Sequence, residues 1–324
     1  MRKIALLDTS VMSCNLGDQI IMDGIKKGMD PVLKSAMIVY MPTHTPLFHG
    51  YQAVRKKDTL NRYFKSIDLI FACGTNLLRK NMLLRKPLWN IRMSDSRLLK
   101  NVVLVGVGTD SRIAIKNRYT EKLYHRILSK EYIHSTRDER TKTFLENMGF
   151  QAINTGCPSM WSLAENTNIA IPQYKAETVV FTVTDYNTDP EKDTIMVNTL
   201  CEEYDRVFCW TPGWRDMEYL DSLGLNKRIQ IIDPSVEAYD KFLEETRCDY
   251  VGTRLHAGIR AMQKKRRTII IGVDNRARDI NNDSNLNYLE RDLICDLRNL
   301  INTNIETRVN IKSKEIERFV NQFL

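Results

Sequence analysis

No stretch of the 324 residues approaches the length of a membrane span. The opening, "MRKIALLDTS", has too short an apolar run for a secretory signal and is broken by Asp8. Seven cysteines, an odd number, are scattered without a Cys-x-x-Cys pair. That usage predicts a reduced, cytoplasmic chain with packed thiols rather than a disulfide framework. The five histidines show no metal-ligand spacing with Cys or Asp, so no metal is expected. Gly106-Val107-Gly108-Thr109 lacks the third glycine of a dinucleotide fingerprint, and no suitable acidic residue closes the pattern, which weighs against NAD. Neither an internal repeat nor a low-complexity tract is found.

What is present is an ordinary globular composition, 43% apolar and 27% charged, with a net charge of +8. The charge favours acidic partners, and nucleic acid, an anionic membrane surface and phosphorylated small molecules all qualify. A solvated basic surface with no partner at all fits equally well. The length exceeds what one core usually serves and predicts two domains.

Short apolar runs alternate with helical patterns. "KIALLD", "AMIVY", "IDLIFACG", "NVVLVGVG" and "EYIHSTR" read as strands, nearly continuously apolar, as in parallel sheets covered on both faces. Helices are expected over 17–28, 111–130 and 137–148, the last with Thr136 and Glu139 as a capping box and Gly149 as its stop. Residues 157–176 lack a clear period and read as a linker between domains over 1–160 and 175–324. The alternation then resumes with "TVVFTVTD", "DRVFCW", "RIQIID", "CDYVGTR" and "RTIIIGVD", and with helices over 191–204, 235–246 and 255–265. The C-terminal "SKEIERFVNQFL" is amphipathic, with Ile316, Phe319, Val320 and Phe323 on one face, and is expected to pack back across the domains. The fold class that follows is α/β, two Rossmann-like domains facing a cleft.

The most informative stretch runs from Asp249 to Arg260. A short strand ends at Gly252-Thr253 and leads straight into a helix with Leu255, Ile259 and Met262 on its apolar face. Arg254 and His256 therefore sit at the strand-to-helix joint, where free N–H groups and the positive end of the dipole favour an anion. A packed histidine beside a surface arginine is the plain alternative. Asn15-Leu16-Gly17-Asp18 opens another helix after the first strand; Asn15 and Asp18 can bond a sugar hydroxyl, or Asp18 can simply cap the helix. Gly74 can bring the Thr75 and Asn76 amides towards a ligand, though an ordinary turn serves as well. Trp210, Trp214 and Tyr219 cluster beside Arg215 and Asp216; such rings stack a sugar or a base, but core is the favoured reading.

"VGTRLHAGIRAM" followed by "TIIIGVDNRARD" resembles the C-terminal signature of the polysaccharide pyruvyl transferases. "NLGDQIIMDGI", "STRDERTKTFLENMGF" and "NTGCPSM" fall in the order that family shows. The resemblance spans about Asn15 to about Arg278 and implies a glycosyltransferase B-like fold, with the first domain on the acceptor side. It implies transfer of a pyruvyl group from phosphoenolpyruvate to a sugar, as a ketal, with no cofactor beyond that donor. It also implies roles: His256 as proton donor, Arg254 and Arg137 at the anionic donor, and Asn15, Asp18 and Leu255 in substrate binding. Gly74, Thr75 and Asn76 stay substrate-binding candidates on the local reading alone, since the family usually has a richer glycine run there. Where family members often place a lysine, Arg276 is the nearest cation here and Arg278 its competitor; arginine changes the geometry but not the sign. Cys157-Pro158 stands where Asp-Pro is frequent. The expected partners are phosphoenolpyruvate and a saccharide acceptor, lipid-linked or free, with no nucleic acid; peripheral contact with an anionic inner membrane face stays open. A glycosyltransferase with a nucleotide-sugar donor, or a non-catalytic anion-binding relative, are the competing readings.

Overall fold

Strands of three to seven residues, most of them apolar, form the sheets, and among the described residues every strand ladder is parallel. The structure, a computed structural model, describes residues 1–83, 88–109, 117–163, 171–225 and 229–324, apart from the side chains of residues 50, 53, 54, 57, 275 and 276. The chain divides into two units. The first comprises Met1–Ser13, Ile21–Trp161 and Lys312–Leu324; the second comprises Cys14–Ile20 and Ser162–Ile311.

In the first unit, β1 (Arg2–Asp8), β2 (Ala36–Pro42), β3 (Leu69–Cys73) and β4 (Val102–Val105) form a sheet in the order β2-β1-β3-β4. β5 (His134–Thr136) and β6 (Ala152–Asn154) pair with each other, and single bridges join Val102 to Leu128 and Val107 to Thr136. The strand order reverses direction between β1 and β3, so the crevice at their carboxyl ends is this sheet's switch point. β3 and β4 are buried throughout, as continuous apolar runs predict, but β2 is an edge strand that leaves Met37 and Tyr40 half exposed. The core includes Leu7, Ala72, Leu104, Trp89 and Tyr124. Helix Ser313–Asn321 belongs to this unit: Phe323 meets Phe71 edge-on at 4.9 Å, and the Gln322 carboxamide bonds both the N–H and the carbonyl of Ile133.

In the second unit, β7 (Thr178–Thr182), β8 (Arg206–Trp210), β9 (Ile229–Ile232), β10 (Asp249–Gly252), β11 (Thr268–Gly272) and β12 (Tyr288–Glu290) form one sheet, ordered β12-β11-β10-β7-β8-β9. The chain builds outward from β7 to β9, then returns to the other side of β7 with β10, which places the switch point between β7 and β10. Behind it, at the amino ends, the buried Arg267 bonds Asp249 at 2.6 Å, and the carbonyls of Ile301 and Thr303.

Several local expectations are corrected. Asp138, not Thr136, caps helix Glu139–Glu146: its carboxylate accepts the Thr141 N–H at 2.8 Å, while Thr136 is held in β5 opposite Asn154. Sheet pairing thus carries the strand through the presumed cap, and the actual cap lies two residues later. Gly149, at φ +78°, does lie just beyond this helix. The helix expected over 111–130 runs over Arg118–Ile127, with residues 111–116 outside the described residues, as are residue 228 and, in the linker stretch, 164–170. The short strands β6 and β12 carry too few residues to show a pattern.

His134 reports on the first unit's packing. It is fully buried, its Nδ1 accepts the Leu104 N–H at 3.1 Å, and its Nε2 donates to the Ser129 carbonyl at 2.9 Å. Only the neutral ring can do both. Burial pushes its pKa down to about 4, and the Ser129 bond only partly opposes this. A depressed pKa in the folded state means stability that is full above about 6.5 and is lost as pH falls towards about 4, worth roughly 3 kcal/mol. Denaturant midpoints measured from pH 7.5 to 4.5 should fall accordingly, and His134→Gln should flatten that slope. An unchanged slope would remove His134 from the account.

Candidate active site

The second unit's switch point is assembled from the residues that follow β7 and β10. Gly252 ends β10 so close to β7 that an added Cβ would lie 2.4 Å from Thr182 Oγ1. That hydroxyl accepts the Arg254 N–H at 3.1 Å and bonds the Tyr250 hydroxyl, which donates to the Arg254 carbonyl at 2.7 Å. The chain is therefore pinned where helix Leu255–Gln263 begins. Gly258 lets this helix lie against β11, since a Cβ there would collide with Ile270. Within the described residues, the Leu255 and Ala257 amides in its first turn have no acceptor.

Arg254 is 5% exposed, and its guanidinium is largely committed. Nε donates to Asp216 at 3.0 Å, and Nη2 donates to both Asp216 and, at 2.9 Å, Asp185. The Tyr186 ring lies 4.9 Å beneath it. Asp216 is itself buried and accepts the backbone N–H groups of Gly213 and Asp185. Burial pushes the Asp216 carboxyl above its ordinary range, and Arg254 opposes that shift. For Arg254, burial alone would lower the pKa, but the two carboxylates outweigh it and hold the guanidinium charged. Nη1 makes no hydrogen bond among the described residues, so one edge of a rigidly held cation remains for a ligand.

One pocket gathers Asn15, Gly17, Arg254, Leu255 and His256 along its wall. The Asn15 carboxamide accepts the Gly17 N–H at 3.0 Å, and backbone bonds from Leu16 to Pro212 and from Trp214 to Cys14 hold this turn in the second unit. A Cβ on Gly17 would lie 3.3 Å from His256 Nδ1, so the glycine leaves the imidazole its place. The sequence reading missed Asp185, Tyr186, Asp216 and Asp274 here. "TVTDY" directly after β7 was the available signal for the first two; nothing local marks Asp216 or Asp274. Trp210 also lines the pocket but is fully buried and stacks on Tyr239 at 4.1 Å, so it is core, as is Tyr219; Trp214 is exposed.

Arg137 belongs to the first unit and is 2% exposed. Its Nη2 donates to Asn76 at 2.6 Å and its Nε to Asp138 at 3.3 Å. Gly108 clears the slot, since a Cβ would stand 2.4 Å from Nη2. Gly74 and Thr75 both have positive φ, and the Thr75 carbonyl accepts the Gly108 N–H at 2.8 Å, which clips the β3 turn to the one after β4. The structure thus brings Gly74, Thr75, Asn76 and Arg137 into one cluster.

Other candidates lie elsewhere. Asp18 is buried as the second residue of helix Gly17–Gly28, two positions past its cap, and is not on the pocket wall. Arg278 is exposed and bridged by Glu290 at 2.6 and 2.9 Å, away from that wall. Arg276 falls in helix Asn275–Ser284, but its side chain lies outside the described residues. Among the described residues no group of three or more His, Cys, Asp or Glu could hold a metal ion, and no helix is long and apolar enough to cross a membrane.

The fold is similar to that of UDP-GlcNAc 2-epimerases. The enzyme from Methanocaldococcus jannaschii matches with a TM-score of 0.58 at 14% identity, covering 99% of both chains. That from Neisseria meningitidis matches with 0.52 at 10% identity, again covering 99% of both, and that from Rickettsia bellii with 0.52 at 12%, covering 99% of this chain and 96% of the other. This likeness shows the fold, two Rossmann-like units of the glycosyltransferase B type, and at such identities nothing more. No curated protein matches the chain. The family model for polysaccharide pyruvyl transferase matches residues 15–275, from the Asn15 turn through the Arg-Leu-His joint to the end of β11 and beyond, and the chain therefore belongs to the polysaccharide pyruvyl transferase family.

Proposed function

We propose that this family member uses phosphoenolpyruvate as donor and joins its pyruvyl carbon to two hydroxyls of a saccharide as a cyclic ketal. The observation that carries the reading is the second unit's pocket, where His256, Arg254 and the first turn of helix Leu255–Gln263 line one space. The donor has a phosphate and a carboxylate; unpaired helix amides and the free Nη1 edge of Arg254 suit such groups.

His256 supplies a proton to the methylene carbon of the donor, which leaves C2 electrophilic. One sugar hydroxyl adds to C2 and releases its proton. The C2–O bond to phosphate breaks, its electrons leave with inorganic phosphate, and a second hydroxyl closes the ring with loss of its own proton. Asp216 and Asp185 act through Arg254, holding its fork so that Nη1 is preorganised before charge develops on the departing phosphate. Asn15, set by its bond to Gly17, is placed to meet a hydroxyl.

A nucleotide-sugar ligand is the second reading, prompted by the UDP-GlcNAc bound in epimerase structures of similar fold from Methanocaldococcus jannaschii and Neisseria meningitidis. Trp210 offers it no stacking face, because that ring is fully buried, with Tyr239 against one side.

Thermal denaturation separates the two readings. Phosphoenolpyruvate at about a hundredfold its Kd should stabilise the chain by roughly 2.7 kcal/mol, and UDP-GlcNAc should not; the reverse result overturns the donor assignment. His256→Asn should keep that stabilisation yet lose about 10²–10⁴-fold in turnover. Normal turnover in this variant would leave the imidazole without a chemical role.

Arg254→Lys tests the fork. Lysine keeps the charge but cannot span Asp216 through two nitrogens while offering a third. KM for the donor should rise at least about tenfold, with fold retained by circular dichroism. Asp216→Ala should instead destabilise by about 3–5 kcal/mol, since a buried charge loses its main partner. If Arg254→Lys has the parent KM, Nη1 does not touch the donor.

A further inference from the structure

One cavity lies in the first unit and shares no wall residue with the switch-point pocket. It has a volume of about 480 Å³, within the range of small-molecule sites, and sits between the turn after β2 and the segment 90–98. Phe48, Asn61, Asn90, Arg92, Asp95 and Arg97 line it. Asn61, Arg97 and Leu98 also border a second cavity of about 240 Å³, whose wall adds Lys65 and Lys100, so the two adjoin along a shared wall and are taken together as one groove.

Its cations differ from most surface cations of the second unit, although other exposed cations of the first unit, such as Lys34 and Arg126, likewise form no ion pair among the described residues. Surface cations of the second unit are mostly engaged: Arg260 with Asp240, Lys264 with Glu244, Lys192 with Asp292 and Arg278 with Glu290. Arg92, Arg97, Lys65 and Lys100 are all exposed, and none forms an ion pair among the described residues. The two acids on these walls keep their charge but bond backbone amides rather than the four cations. Asp95 accepts the Arg92 N–H at 2.7 Å, and Asp68 accepts the Lys3 N–H at 2.7 Å. Four cations against two carboxylates give these walls a positive balance that favours an anionic ligand.

The rest of the wall is suited to sugar. The carboxamides of Asn61 and Asn90 make no side-chain hydrogen bond among the described residues, and each offers donors and an acceptor to a hydroxyl pair. Phe48 is half-buried, held edge-on by Phe64 at 6.4 Å, and provides an apolar surface for the face of a pyranose ring. Asp95 on the same wall accepts hydroxyls but repels a continuous run of phosphates, which disfavours nucleic acid.

We propose that this groove binds an anionic saccharide chain, its carboxylates or phosphates on Arg92, Arg97, Lys65 and Lys100 and its hydroxyls on Asn61 and Asn90. The inference rests on the reading that the substrate is a saccharide, and narrows it to a charged one.

Calorimetric titration of the whole chain tests the groove. The probes are tetramannuronate for carboxylate, a phosphodiester-linked tetrasaccharide for phosphate, neutral maltotetraose, tripolyphosphate and an oligothymidylate. At least one of the two anionic saccharides should bind ten times more tightly than maltotetraose and than either non-saccharide polyanion. Arg92→Gln with Arg97→Gln should lose at least tenfold of that affinity, and Asn61→Ala several-fold. Should the double variant unfold, Lys65→Gln with Lys100→Gln, both at exposed positions, must show the loss instead. Equal binding of the neutral chain, tighter binding of tripolyphosphate or oligothymidylate, or no loss in the folded variants overturns the proposal. Stabilisation by phosphoenolpyruvate, read on the same samples, separates failure of the groove from failure of the donor assignment.

Discussion

The buried pair of Arg254 and Asp216 is the contact on which the second unit's site depends. It joins residues 38 apart in sequence, and through the Asp216 bonds to Gly213 and Asp185 it ties together the chain leaving β7, β8 and β10. Two charges brought out of water are tolerated only when nearly every lone pair and proton is met, as here. The same bonds that satisfy the pair decide which edge of the guanidinium is left over. Stability and site geometry are one constraint at this point.

Each unit, taken by itself, solves the same problem in the same way. A glycine makes room where a side chain would collide: Gly108 beside Arg137, and Gly213 beside Arg254, whose Nη2 would be 2.0 Å from an added Cβ. A neighbouring carboxylate takes the Nε side, and Nη2 is used as well, by Asn76 in one case and by Asp216 and Asp185 in the other. In both, Nη1 carries no partner among the described residues. Arginine permits this because its five donors diverge from one rigid plane; a lysine cannot be held by some donors while presenting others.

The net charge of +8 also acquires a location. Ion pairs neutralise much of the second unit's surface, whereas the cations in the groove of the first unit form no ion pair among the described residues. Membership of a polysaccharide-modifying family gives that excess a chemical context, and the fold likeness to the epimerases adds only that the framework serves sugar chemistry elsewhere.

The alternation of apolar runs and helical patterns was legible in the sequence, because burial on both faces of a parallel sheet imposes a local composition on each strand. So was the joint at Gly252-Thr253-Arg254-Leu255-His256, where strand, turn and helix follow within a few residues and the family resemblance is densest. What the sequence by itself could not decide was the company those residues keep. Arg254 reads as a free clamp until Asp216 and Asp185 are seen to occupy most of it, and Thr136 reads as a helix cap until its pairing with Asn154 keeps it in a strand. Edge or centre is likewise settled only by strand order, which is why β2 looks like a covered strand and is not. Periodicity and propensity act over a few residues, whereas desolvation and ion pairing act between side chains 30 to 70 positions apart, and only the tertiary structure brings those together.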